Sequence, residues 1–301
     1  MRAKRRHVVG MVKRYHVGVV IGALAVVGSA ADASVEVTVA PAKNLLLFGN
    51  SFTQSGGAGG VGQLVSELAV AGGHAEPFVF QLAVGGRALD WHLAYGTPLI
   101  ADRVPAGQTW DHVVMQEFST RPTDHPTMGE PQKFYDAASG LASAVRAHSP
   151  GAGVVLFETW ARGPGHEFYP GEWASPEAMQ AELAHHYNMG RDAVDAAVGG
   201  TATEVARVGS AFGEADFDAS LYGSDLWHAS NRGALLAGLM IYASIYDDAT
   251  LTDLDVTAVA NRLGMSEADA VGLAQVAERT IPTPGTLAAV AVGVVYTRRR
   301  R

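Results

Sequence analysis

Apolar residues are distributed along this chain in two ways. At residues 45–48 they run without a break, Leu45, Leu46, Leu47 and Phe48 between Asn44 and Gly49, which predicts a strand buried on both faces. Short apolar stretches at 77–84, 110–115, 153–157 and 204–208 predict four more. Elsewhere apolar residues recur every three or four positions, as in Val61, Leu64, Val65, Leu68 and Ala69. That spacing predicts helices over 61–71, 134–148, 176–198 and 231–246, the long third one opened by Ser175 as N-cap and Pro176 in its first turn. Residues 56–62 are a glycine-rich loop, and the short alternation at 35–40 reads as a leader to the sheet. Strands alternating with helices give an α/β fold, a three-layer α/β/α sandwich around a mainly parallel sheet of about five strands. Sites in such sheets gather at the carboxyl ends of strands. Ser51, Gly85, Gly86, Gln116 and Trp160 all follow predicted strands and would share one rim.

With 301 residues, 48% of them hydrophobic, the chain can build one large domain, assigned to 34–250, since no Pro/Ser-rich stretch or charge run divides it. Two helical patterns at 256–263 and 267–277 form an extension, 251–280, that either wraps the domain or spaces it from the C-terminal tail. The N-terminus has the composition of a targeting segment. Six basic residues within the first 16, an apolar or glycine stretch at 17–27 and the small-x-small pattern of Ala31, Asp32 and Ala33 predict a secretory signal peptide, 1–33, cut after Ala33 or Ala31. The other reading, an uncleaved anchor, meets a run too short to span a bilayer comfortably.

Removing the ends changes the charge. Of 22 Lys and Arg, six lie in 1–33 and four in 298–301; of 30 Asp and Glu, only Asp32 is lost. The body therefore carries 12 positive against 29 negative side chains, a net charge of −17. Such a body repels phosphates, which excludes nucleic acid and anionic membranes as expected partners. With no cysteine there is no disulfide, thiol chemistry or cysteine-based zinc site. His185 and His186 project about 100° apart on a helix and no His-Glu-x-x-His occurs, so no metal or cofactor is expected.

One chemistry stands out. Ser51 sits where the first strand breaks into a loop, and Asp225 and His228 stand three apart far downstream. A serine hydroxyl becomes a nucleophile when a base takes its proton and a third group orients that base. Each piece also has a structural reading: Ser51 as a turn residue, and Asp225 as the cap of a helix starting near Ser230 with His228 packed beside it. An oxyanion hole needs preset donors; Gly85 and Gly86 can offer backbone N–H groups and Gln116 its amide. Asn50, His92, Glu117 and Trp160 are candidate pocket residues, with core packing as the alternative for His92 and Trp160.

Together these blocks resemble the SGNH hydrolase superfamily, the GDSL-like esterases and lipases, across roughly residues 44–246. Its Gly-Asp-Ser-Leu block is matched by Gly49, Asn50, Ser51 and Phe52, its glycine block by Gly86, and its Asp-x-x-His block by Asp225 to His228. Asn50 replaces the usual Asp, and Met115, Gln116, Glu117 and Phe118 stand at the Gly-x-Asn-Asp block. The resemblance implies Ser51 as nucleophile, His228 as base and Asp225 as orienter. It also implies Ser51 and Gly86 N–H groups in the oxyanion hole, joined there by Gln116.

At the other end, residues 281–301 resemble the PEP-CTERM sorting tail of exported bacterial proteins: Pro282-x-Pro284, an apolar segment and four terminal arginines, with Thr283 where that family usually has Glu. A short tail helix ended by arginines is the other reading. The expectation is an exported bacterial serine esterase, at the cell surface, in the periplasm or outside the cell. It would act on a small-molecule or carbohydrate ester and meet export and C-terminal sorting machinery; the sequence leaves its oligomeric state open. Rival readings are a lipase or thioesterase of the same fold, or a surface binding protein that has lost catalysis.

Overall fold

A computed structural model describes residues 40–200 and 203–282. The predicted signal peptide, the leader at 35–39 and residues 283–301 of the tail lie outside the described residues.

Five strands, β1 (Asn44–Gly49), β2 (Phe78–Ala83), β3 (His112–Met115), β4 (Gly153–Phe157) and β5 (Thr203–Ala206), form one parallel sheet in the order β2-β1-β3-β4-β5. Leu46 pairs with Phe80 on one side and Val113 on the other. The uninterrupted apolar runs are explained by alternation between two cores. Leu45, Leu47, Val114, Val155 and Phe157 enter one, while Leu46, Phe48, Val113, Met115, Val154 and Leu156 enter the other. A strand covered on both faces has no position left for a polar side chain.

Nine helices are described: α1 (Gly60–Ala71), α2 (Leu89–Tyr95), α3 (Thr97–Asp102), α4 (Pro131–His148), α5 (Pro176–Val198), α6 (Val208–Glu214), α7 (Asn231–Tyr246), α8 (Thr257–Leu263) and α9 (Glu267–Thr280). None is long and apolar enough to cross a membrane. Helices α1 and α7 bury their apolar sides in the first core and α4 in the second. Ser175 Oγ caps α5 by accepting from Ala178 N at 3.3 Å, as its position before Pro176 predicts.

Helix α7 is apolar nearly all round, with buried residues on every face, so it needs cover on its outer side as well. Helices α8 and α9 supply it: Val259, Leu263, Leu273 and Ala277 join the same core, and Arg262 is tied to Glu67 and the Gly56 carbonyl. Residues 251–280 thus wrap the sandwich.

Two differences from the pattern-based expectation have local causes. Helices α2 and α3 have only seven and six residues, too short to show a helical period. Residue 208, expected in the fifth strand, begins α6 instead. That helix, rich in glycine, is held at its first turn by the buried Glu158, whose Oε1 accepts from Ser210 N at 2.7 Å and Ser210 Oγ at 2.8 Å. A carboxyl oxygen that accepts an otherwise free N–H of the first turn holds the helix where propensity does not.

Candidate active site

The chain reverses its winding between β1 and β3, and the segments leaving β1 to β4 converge at that rim. Gly49 ends β1 because nothing larger fits: a Cβ there would lie 2.0 Å from Thr53 Oγ1. The next turn presents Ser51. Its hydroxyl lies 2.9 Å from His228 Nε2, across 177 positions of sequence, and His228 Nδ1 lies 2.7 Å from Asp225 Oδ2.

The Asp225–His228 segment is a closed loop. Gly223 N donates to the His228 carbonyl at 2.7 Å and Tyr222 bridges Ala229. Leu226 takes a left-handed φ of 55°, a costly conformation for a branched side chain. It folds the carboxylate back so that Asp225 Oδ1 accepts from the N–H groups of Trp227 and His228, both at 2.9 Å. Burial alone would push the Asp225 carboxyl up. The hydrogen bonds from His228 and the two backbone N–H groups outweigh it and hold the group down at about 2. An ionised Asp225 requires the proton on Nδ1, which leaves Nε2 free to accept from Ser51. The alternative role of Asp225 as cap of α7 is filled by Ser230, whose Oγ accepts from Arg232 N and Gly233 N.

Gly86 follows β2 with φ 72°, a region that glycine enters without steric cost. Among the described residues no backbone carbonyl accepts from the N–H of Ser51 or of Gly86, which leaves both available as oxyanion donors.

Gln116 is placed differently from the expectation. It is fully buried; its Oε1 accepts from Asn50 N and Thr53 Oγ1, both at 2.9 Å, and its Nε2 donates to the Glu117 carbonyl. The amide cannot be reversed, because Asn50 N–H demands an acceptor. Gln116 therefore braces the turn carrying Ser51 from beneath and has no donor at the rim.

The four candidate pocket residues are buried too. Asn50 spans two loops, its Nδ2 donating to the Arg87 carbonyl at 3.0 Å and its Oδ1 accepting from Phe52 N at 3.1 Å. Glu117 Oε1 accepts from Leu89 N at 3.2 Å and Phe118 N at 2.6 Å, tethering the glycine loop to the end of β3. Burial pushes its carboxyl up to about 7 despite the nearby Arg121. His92 Nε2 donates to the Gly49 carbonyl at 2.8 Å, and burial pulls its pKa down. Trp160 stacks between Phe52 at 4.2 Å and Phe212 at 4.7 Å and donates to the Trp227 carbonyl at 2.9 Å. Each of the four uses at least one polar atom to hold a loop in place, while His92 Nδ1 and Glu117 Oε2 have no hydrogen-bond partner among the described residues.

Residues that the sequence pattern did not single out line the neighbouring cleft of about 470 Å³: Phe118, Arg162, Phe168 and Trp227, with Gly86 at its edge. The signal for Trp227 was its place inside Asp-x-x-His, and for Arg162 its place in the segment that leaves β4. Among the described residues no three His, Cys, Asp or Glu side chains are grouped to hold a metal. His186 is buried on α5, its Nδ1 2.6 Å from Tyr135 Oη and its Nε2 3.1 Å from Asp124 Oδ1.

A five-stranded parallel sheet in this order, flanked by helices on both faces, is an α/β architecture of the SGNH hydrolase type. The chain is similar to a candidate SGNH hydrolase from Slackia heliotrinireducens, with 27% identity and TM-score 0.53 over 68% of this chain and 100% of that one. It is also similar to a DUF4886 family protein from Bacteroides uniformis, with 16% identity and TM-score 0.57 over 79% and 94%. An acetyl xylan esterase from Geobacillus stearothermophilus matches with 16% identity and TM-score 0.51 over 69% and 96%. No protein-family model matches the chain, and no curated protein matches it in sequence.

Proposed function

We propose that this chain is an exported serine esterase that hydrolyses acyl esters, carbohydrate O-acetyl esters among them, through an acyl-enzyme on Ser51. The observation that carries the reading is the unbroken line from Ser51 Oγ to His228 Nε2 at 2.9 Å and from His228 Nδ1 to Asp225 Oδ2 at 2.7 Å. His228 takes the serine proton as Oγ attacks the ester carbonyl, and the N–H groups of Ser51 and Gly86 receive the charge that develops on its oxygen. His228 then passes the proton to the leaving alcohol, and a water activated by the same imidazole releases the acid. The acidic body and the export signals support a carbohydrate substrate over a long-chain lipid.

Replacing Ser51→Ala should lower turnover of 4-nitrophenyl acetate by roughly 10⁴-fold or more with the thermal midpoint unchanged; undiminished turnover refutes the assignment. The position of Gln116 favours examining a second reading, a binding protein that keeps the fold without catalysis, since the hole then has two backbone donors and no side-chain amide. Fluorophosphonate labelling of Ser51 separates the two, because only an activated serine reacts. A lipase or thioesterase would show itself in the acyl-chain-length profile.

A further inference from the structure

Arg162 lies beside this site with its charge uncompensated. It is 2% exposed. Nη2 donates to Ser119 Oγ at 3.0 Å, while Nε and Nη1 have no acceptor among the described residues. Asp225, Tyr169 and Tyr222 act on it only through space, and burial draws its guanidinium down to about 10. The other arginine of the cleft, Arg121, is met by Asp90 at 3.0 Å, Glu130 at 3.3 Å and Glu117 at 3.8 Å.

A buried guanidinium is stable only when its charge and its N–H groups find partners. The guanidinium lies over Trp227 at 4.6 Å and Phe168 at 5.4 Å, cation–π contacts that return part of the lost hydration but accept none of its N–H groups. Ser119 Oγ takes one N–H, and Nε and Nη1 remain without an acceptor among the described residues. An anion entering the cleft would close the deficit. Trp227 Nε1, on the same wall, also lacks an acceptor. The Trp227 ring that meets Arg162 lies 5.0 Å from the His228 ring, so one indole separates the unpaired cation from the base.

We propose that Arg162 binds a carboxylate carried by the ester substrate, so that half-esters of dicarboxylic acids or esters of acidic sugars are taken in preference to neutral esters. The planar guanidinium fork matches a carboxylate in shape and charge. The acidic body does not oppose this, because charges beyond about 8 Å are screened at physiological salt and the nearest acid, Asp225, is paired with His228. The inference rests on the reading of Ser51 as nucleophile and deepens it.

The test compares wild type with Arg162→Met and Arg162→Lys on two substrate pairs. The acyl arm sets mono-(4-nitrophenyl) succinate against 4-nitrophenyl acetate; the alcohol arm sets an acetylated glucuronate against an acetylated glucoside. Wild type should favour the charged member of one pair in kcat/KM. That preference should fall about 30-fold or more in Arg162→Met, mainly through KM, and less in Arg162→Lys, which keeps charge without the fork. Should the methionine variant not fold, inhibition of wild type by succinate and not by succinamide supports the assignment, and equal inhibition overturns it. No preference in either arm, or one that survives in Arg162→Met, also overturns it. If no ester is hydrolysed and fluorophosphonate does not label, the Ser51 reading fails by itself. Calorimetry with succinate then decides Arg162: binding lost in Arg162→Met supports the site, and no binding to wild type ends it.

Discussion

Replacing Asp225 by Asn tests the proton arrangement while changing almost nothing in shape. Asp225 Oδ1 accepts two backbone N–H groups, from Trp227 and His228, and Oδ2 accepts His228 Nδ1–H. An asparagine must leave its carbonyl oxygen facing the two N–H donors, because its NH₂ would meet them as donor against donor. The NH₂ then points at His228 Nδ1 and requires that nitrogen to be the acceptor, which moves the imidazole proton to Nε2. In that tautomer Nε2 cannot take the proton of Ser51. The negative charge that stabilises the imidazolium is lost as well, and together these effects are worth about 10⁴-fold in kcat, roughly 5.5 kcal/mol of barrier. Stability should change by less than about 1 kcal/mol, since the Asp225 side chain is 47% exposed. The assay is kcat on 4-nitrophenyl acetate for both proteins, with thermal unfolding alongside. A variant within tenfold of wild type would refute the reasoning, because His228 would then act without the tautomer that Asp225 imposes. Wild-type Asp225, held at about 2, should contribute no limb to the rate profile anywhere above about pH 4.

Gln116→Ala should act first on stability: it strips the acceptor from Asn50 N–H and Thr53 Oγ1, leaving buried donors unpaired at about 1–3 kcal/mol each, measurable by urea unfolding. A loss of rate with unchanged stability would instead return the Gln116 amide to the oxyanion hole. Glu117→Gln should flatten the pH dependence of stability. With the Glu117 carboxyl raised from 4.5 to about 7, the folded state holds a proton that the unfolded state has released, so wild-type stability falls as pH rises from 4.5 through 7. The difference is of the order of 3 kcal/mol. Parallel unfolding curves for the two proteins at pH 5 and pH 8 would count against a buried, titrating Glu117.

Local pattern alone determined the sandwich. Strands buried on both faces must be apolar throughout, and helices covering them must repeat at three and four, so β1, β4, α5 and α7 are legible residue by residue. The residue types of the proton line were legible as well, because Ser51, Asp225 and His228 carry chemistry that few other residues can supply. Tertiary structure decided which polar residues reach the rim and which hold it up. Gln116, Asn50 and Glu117 follow strands just as Ser51 and Gly86 do, and His92 lies in the helix just after the glycine loop, yet their side chains turn inward, because the Gly49 carbonyl, the Asn50 N–H and the N–H groups of Phe118 and Leu89 need partners that water cannot provide. Along the chain Arg162 was marked only by its place in the segment that leaves β4. Its meaning comes from Trp227, 65 positions later, and from the lack, among the described residues, of any acid bonded to it, and those are facts of packing that no one-dimensional pattern encodes.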